Sequence, residues 1–485
     1  MDAGQEYLLT DKFSTMKELF LKREVNKIEE RRIMRKISIF LVILFFLLLG
    51  SSPIIGSDVL TLEESIKIAL EKSLSVQAAE EEIKAREFEE RSLKADFYPK
   101  FSTSYSYRRL DEDTVNDARY TTYIYNPLTT SFYGRQVSPL NTDTYEFNMT
   151  AAQPLFTGWR LTISRELASL GVDTAKIQKE TNIQDLVLNV KVAYFGILKG
   201  EKLKKVARQA MEQLEAHLRV SQAFYDEGLI AKNELLQTGV RMAQARQDLI
   251  RATNRVEIAR SLFNKLLRRG LNKDVTIKDI LDYHPVELTL DQCMEWAELN
   301  RPEIKGLSLN VVSAEKAVDL SKSRYYPSVN LIGNYQRKTD NILLGSDPGE
   351  DIDNWTMILK TEWTFWEWGK TRHDVAATRA KLAKVKYILK DIKDNIQLEV
   401  KEAYLYLREA EKNIQVARKA VVQAEENFRM NEERYKQQVA TSTDVLDAQT
   451  LLTQARTNYF NTLSEHNIAW ARLERAMGIE YEGGK

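Results

Sequence analysis

The sequence predicts a mainly α-helical protein with a membrane β-barrel portion, built as a duplicated repeat. Each repeat pairs a long coiled-coil α-hairpin with two β-strands, so that four strands per chain contribute to a barrel. Three observations predict this. Motif pairs recur along the chain at constant spacing, helical runs extend far beyond ordinary length without a breaker, and short segments of alternating polarity sit between them.

The duplication comes first. Leu60-Thr61-Leu62-Glu63 recurs as Leu288-Thr289-Leu290-Asp291, and Tyr98-Pro99 as Tyr326-Pro327, both shifted by 228 residues. Ala193-Tyr194 recurs as Ala403-Tyr404, Tyr225 as Tyr435, and Gln244-Ala245-Arg246 as Gln454-Ala455-Arg456, all shifted by 210. The 18-residue difference therefore falls between Tyr98 and Ala193 of the first copy, as an insertion in a surface loop would. Residues 1–57 are set apart as a leader, 58–285 form the first repeat and 286–485 the second.

Each repeat opens with a helical segment that stops at Tyr-Pro, because the residue before proline leaves the helical region. Leu74 to Asp96 is that segment in the first copy. Long helical hairpins follow at about 159–270 and 370–478. Thr371 to Met477 contains neither glycine nor proline, which favours uninterrupted helix. Ala207, Met211, Leu214, Leu218, Ser221 and Tyr225 form a seam spaced alternately four and three residues apart. Ala417, Val421, Ala424, Phe428, Asn431 and Tyr435 repeat it in the second copy. A helix from Trp159 to about Glu227 spans roughly 100 Å at 1.5 Å per residue. The returning helix from Asn233 to about Arg268 is around half as long, and Leu74–Asp96 supplies most of the missing length. End to end, the two flank one long helix as a rod. A long tube needs that geometry; a single globular domain does not.

The strands are predicted at about 100–108, 144–154, 328–337 and 354–365. In the first, Phe101, Thr103, Tyr105 and Tyr107 alternate with serines; in the second, Tyr145, Phe147, Met149 and Ala151 alternate with Glu146, Asn148 and Thr150. The third alternates imperfectly, with Ile332 among its polar positions. In the fourth, Trp355, Met357, Leu359, Thr361 and Trp363 oppose Thr356, Ile358, Lys360, Glu362 and Thr364. Period two gives one apolar and one polar face, and Tyr107, Tyr145, Trp355 and Trp363 at strand ends match the aromatic girdles of outer-membrane barrels. Glu146, Lys360 and Glu362 face inward and wet the lumen. A soluble sheet covered by helices carries the same pattern, but these helices bury their own seams. Four strands cannot close a barrel, and open edges in lipid are prohibitive. Several chains must share one, and three would give twelve strands.

Composition excludes other classes. Seventy basic and seventy acidic residues leave no net charge, so nucleic-acid binding has no electrostatic basis. A single cysteine, Cys293, permits no disulfide within the chain, and the histidines His217, His284, His373 and His466 show no ligand spacing. No cofactor and no metal site is expected. Without a nucleophile elbow, phosphate-cradling loop or helix-borne metal pair, the sequence is not that of an enzyme. Arg35 and Lys36 precede Ile37 to Leu49, an apolar run too short to span a bilayer, and Gly50-Ser51-Ser52-Pro53 follows. This reads as a signal peptide, with Met34 as an alternative start, cleavage near Ser57 and no cysteine after it to carry a lipid.

Leu60 to Leu70, Tyr98-Pro99, Gln153-Pro-Leu-Phe-Thr-Gly158, Tyr225-Asp-Glu-Gly-Leu229 and Asp444-Val-Leu-Asp447, in this order and duplicated, resemble the TolC family of outer-membrane efflux proteins from about Leu60 to Gly478. The resemblance implies a homotrimer with a twelve-stranded barrel in the bacterial outer membrane, in contact with its lipid, and a helical tunnel in the periplasm. It implies passive exit for solutes, docking to a periplasmic adaptor (membrane fusion) protein and an inner-membrane pump of RND, ABC or similar type, and no chemistry of its own. Family aperture acids map onto Asp444 and Asp447, with Glu234 as the first-copy counterpart of Asp444. Asp444 and Glu234 also lie early in their returning helices, where acids are favourable anyway. The hairpin tips, Gly228 and Leu229 in one copy and Gln438 and Val439 in the other, are the implied adaptor-docking points. Gln438 stands where the family often has glycine, and Ala440 where some members carry a gate-locking arginine. The competing reading is a periplasmic coiled-coil adaptor or scaffold without a pore. The inter-strand loop acids Asp111, Glu112, Asp113, Asp117, Asp347, Glu350, Asp351 and Asp353 read as solvated surface, and Trp363, Trp366 and Trp368 as interface anchors.

Overall fold

The computed structural model describes residues 59–112, 114, 120–126, 131–137, 142–339 and 352–479. The leader, Met34, and the loop acids Asp113, Asp117, Asp347, Glu350 and Asp351 lie outside the described residues. The first copy runs α1 (Leu62–Lys72), α2 (Leu74–Ala95), β1 (Lys100–Arg109), β2 (Tyr120–Asn126), β3 (Ser131–Val137), β4 (Asp143–Phe156), α3 (Arg160–Asp226) and α4 (Lys232–Leu266). The second runs α5 (Leu290–Asn300), α6 (Pro302–Lys322), β5 (Ser328–Thr339), β6 (Ile352–Glu362), α7 (Lys370–Lys436) and α8 (Ser442–Ala476).

The repeated Leu-Thr-Leu-Glu/Asp motif proves to be a helix start. Thr61 caps α1 and exchanges hydrogen bonds with Glu64, and Thr289 does the same with Gln292 at α5. Each pair satisfies amide donors that would otherwise be orphaned. The long helices α3 and α7 are both 67 residues, about 100 Å each. α2 and α4 lie end to end along α3: Glu80 and Glu90 of α2 pair with Lys179 and Arg165, whereas Arg260 of α4 pairs with Glu201. In the second copy α6 and α8 flank α7 in the same way.

Two apolar cores hold the helices, the first built mainly from the first copy and the second from the second copy. One centres on Tyr194, with Val190, Ile197, Phe263 and Leu267. Its phenol donates to the carbonyls of Lys278 (2.7 Å) and Leu60 (3.2 Å), and burial pushes it up to about 12. The second gathers Cys293, Val400, Leu407, Leu473 and Met477. The C-terminal turn closes it, because Gly478 packs its Cα against the backbone of Asn300 and Arg301.

The seam differs between copies. In α7 the residues from Ala417 to Asn431 are half-buried at the expected positions, and Ile414 and Tyr435 at its ends are buried. In α3 the most buried line is Val206, Ala210, Leu214, His217 and Ser221, displaced from the expected seam at all but Leu214 and Ser221. The reason is tertiary: α3 packs against both α4 and α8, whereas the matching stretch of α7 packs chiefly on α8 and meets α3 at Tyr435. A helix with two neighbours buries a wider face, and its centre shifts.

The sheet is antiparallel with order β1-β4-β5-β6. Its register puts Ser104, Asn148, Gln336 and Asn354 on one face, and Thr103, Met149, Tyr335 and Trp355 on the other. Ile332, the exception in the third strand, pairs across with Ile358 and Ala152 on the polar face, so its alternation breaks where three apolar side chains meet. The 18-residue excess expected as plain loop contains a hairpin of its own, β2 paired with β3. Tyr120-Thr-Thr-Tyr-Ile-Tyr and Ser131-Phe-Tyr are rich in β-forming residues.

Strand passes to helix through two successive left-handed residues in each copy: Gly158 (φ +62°) and Trp159 (φ +65°), then Trp368 (φ +55°) and Gly369 (φ +84°). The positions match at the 210-residue shift with glycine and tryptophan exchanged.

Candidate functional site: the hairpin tips and the polar face of the sheet

α3 ends in a Schellman turn. Gly228 takes φ +76°, its amide donates to Tyr225 O (2.9 Å), and the Leu229 amide donates to Phe224 O (2.7 Å). α7 ends identically around Gln438, at φ +62°, with Val439 donating to Arg434 O (2.9 Å). A side chain in this conformation costs about 1 kcal/mol that glycine avoids. Gln438→Gly is therefore expected to raise stability by no more than about 0.5 kcal/mol, after the larger backbone entropy of glycine in the unfolded chain. Urea unfolding midpoints of the two proteins check this. Leu229 and Val439 project from the turns and are exposed.

Of the mapped aperture acids, Asp444 is committed to its own helix. Thr441 is the N-cap of α8, and its amide and hydroxyl both donate to the Asp444 carboxylate at 2.8 Å. The Asp444 amide returns a bond to Thr441 Oγ1 (3.3 Å). The backbone bond from Thr441, then the hydroxyl bond, hold this carboxyl below its ordinary range. Asp447, one turn on, lines a cleft of about 410 Å³ between α8 and Asn233, Leu236, Gln237, Val240 and Arg241 of α4. Glu234 is in the first turn of α4, whose N-cap, Ala231, offers no side-chain oxygen. It is half-buried, and its charge reaches the Tyr435 phenol.

Sequence reasoning missed a buried polar joint just above the turns. His217 Nε2 lies 2.9 Å from Ser442 Oγ, which lies 3.0 Å from Thr238 Oγ1. Ser221 Oγ lies 3.1 Å from the Tyr435 hydroxyl. All five side chains are buried, and they come from α3, α4, α7 and α8. Ser221 and Tyr435 stood in the predicted seam; a polar pair in a buried seam was the available signal.

On the sheet, Glu146 accepts from Asn148 Nδ2 (2.7 Å) and Gln336 Nε2 (2.6 Å), and Lys360 pairs with Glu362 at 3.1 Å. By strand register all three expected lumen residues share the polar face. Trp363 donates to Tyr325 O (3.1 Å), and Trp366 and Trp368 stack edge to face, exposed, where β6 gives way to α7. Among the described residues no helix is long and apolar enough to cross a membrane, and no three metal-ligating side chains are gathered.

The outer membrane efflux protein family profile matches residues 65–267 and 294–479. The chain belongs to the outer membrane efflux protein family. Solved structures of outer-membrane proteins share the fold. The CmeC outer membrane channel of Campylobacter jejuni is 13% identical with a TM-score of 0.71, over 86% of this chain and 85% of that one. VceC of Vibrio cholerae is 15% identical with a TM-score of 0.70, over 86% and 96%. The open state of the MtrE outer membrane channel of Neisseria gonorrhoeae is 17% identical with a TM-score of 0.67, over 86% and 88%. No curated protein matches the chain. By its family the protein is a transport protein of the outer membrane efflux class.

Proposed function

We propose that three copies of the chain form a channel-tunnel in the bacterial outer membrane, with its helices in the periplasm. It gives passive exit to solutes delivered by an inner-membrane pump through a periplasmic adaptor. The observation that carries this reading is the open sheet. Among the described residues β1 and β6 each have one strand partner, and an unpaired edge in hydrocarbon costs several kcal/mol for each orphaned backbone group. Pairing β6 of one protomer with β1 of the next removes every edge and yields twelve strands around a three-fold axis. The face bearing Phe101, Trp355 and Met357, all exposed, then meets lipid, and Glu146, Lys360 and Glu362 line the lumen. Exposed apolar side chains on α4 and α7, including Val240, Ile250, Tyr387 and Leu405, would pack between protomers.

On this reading the turns at Gly228–Leu229 and Gln438–Val439 meet the adaptor, and Asp444, Asp447 and Glu234 from three chains converge as a carboxylate ring at the periplasmic mouth. Selection of the solute belongs to the pump. The test is single-channel conductance in a planar bilayer with native mass in the same detergent. Discrete pores from a trimer are expected. A soluble monomer or dimer without conductance would overturn the channel and favour a periplasmic scaffold.

A further inference from the structure

The joint between the two hairpins is polar where an apolar seam would suffice, and one of its members titrates. Thr238 Oγ1 donates to Glu234 O (3.1 Å), so its lone pairs are free to accept from Ser442, 3.0 Å away. Ser442 then accepts from His217 Nε2, which fixes the neutral ring as the Nε2–H tautomer. A second proton can enter only at Nδ1, and it would place a full charge in a site closed by other helices. We infer that this joint is an acid-sensitive latch, which holds the hairpins together while the His217 ring is neutral and frees them at the tips when it is protonated.

The surroundings weigh against the charged ring. Tyr435 of α7 presents its ring 4.7 Å from that of His217, and Phe224 of α3 lies 5.4 Å from Tyr435. Hydroxyls face it from α4 (Thr238) and α8 (Ser442). Glu432 of α7 is the charged group that favours protonation of His217, and Glu234 of α4 acts on Tyr435. Burial outweighs Glu432 and lowers the His217 pKa from 6.5 to about 4. A ring freed to water regains its ordinary value. The sign follows: the joined state holds fewer protons, so it is favoured fully above pH 6.5 and loses ground as pH falls toward 4. Between pH 7 and pH 4 the ratio of freed to joined tips rises by about 100-fold per chain. The first-copy position has no equivalent in the second, where the 210-residue shift leads to exposed Asn427, so the device is specific to one hairpin.

Only the consequence of release, an opening of the tunnel, rests on the proposed function. The test uses the full chain in detergent with Cys293→Ser, Leu229→Cys and Val439→Cys, spin-labelled at the two exposed tips. Electron–electron distance measurements should show the tips separating between pH 7 and pH 4 and reclosing on return. His217→Gln keeps a neutral donor to Ser442 and should hold the distance constant; His217→Phe serves if the glutamine variant fails to assemble. Ser442→Ala should already separate the tips at pH 7. An unmoved wild-type distance, or an equal movement in the His217 variants, overturns the latch and assigns any acid response to carboxylates. Separation without any conductance in a bilayer upholds the latch and counts against the channel.

Discussion

Gly158→Ala is expected to cost the fold roughly 2–5 kcal/mol, summing left-handed strain and overpacking. A Cβ at this position would lie 2.5 Å from Ser323 O and 3.0 Å from Tyr326 Cβ. The first of these contacts is with backbone, which cannot swing aside, and it belongs to the turn that launches β5 from α6. The φ of +62° adds strain of its own. Gly369 is the internal control. It shares the left-handed conformation, but its Cβ would meet only the His373 ring at an ordinary 3.7 Å. Gly369→Ala should therefore cost about 1–2 kcal/mol, the backbone term alone. Urea unfolding of the two variants side by side, with the assembled fraction followed by native mass, decides the matter. Equal stabilities would show that the approach to Ser323 is relaxed in the assembled protein.

The second large effect concerns charge at the mouth. In the proposed trimer, the paired variant Asp444→Asn with Asp447→Asn would remove six carboxylates from the periplasmic mouth. The apparent affinity for a blocking divalent cation should fall by about 10-fold or more, and cation selectivity should drop with it. Asparagine keeps an acceptor for the Thr441 amide, so the cap survives and the effect reports charge alone. Asp444→Ala removes both and should add about 1 kcal/mol of helix destabilisation. Unchanged block and selectivity in the double asparagine variant would reduce Asp444 to a capping residue. The Thr441 bonds keep Asp444 ionised to lower pH than an ordinary carboxylate, so its charge in the proposed ring would persist as pH falls toward 4.

Much of the helical architecture was legible because it rests on local properties. An unbroken run from Thr371 to Met477 leaves a helix no place to stop until the turn at Gln438, and the 3–4 spacing from Ala417 to Tyr435 marks the face that α8 covers. Strand faces followed from period two, and the register confirms them on both sides of the sheet. The failures have physical causes as well. The first-copy seam was misplaced because α3 packs along both α4 and α8 whereas α7 packs chiefly on α8, which no repeat of the same motif discloses. The β2–β3 hairpin was missed because an insertion was equated with a loop, although Tyr120 to Tyr125 alternates little and reads as strand chiefly through its residue types.

The sequence alone determined the duplication, the lengths of the helices, the four strands and their two faces, and the positions of the turns, since hydrophobic period and helix breakers act within a few residues. Tertiary structure decided the rest: that His217, Ser221, Thr238, Tyr435 and Ser442 share one buried joint, that Asp444 is bound into a cap while the charge of Glu234 acts on Tyr435, and that Gly158 has no room for a methyl group. Each of these depends on distances across a packed interface, some between residues more than 200 positions apart in the chain, and such distances are set by the mutual packing of the helices rather than by any segment alone.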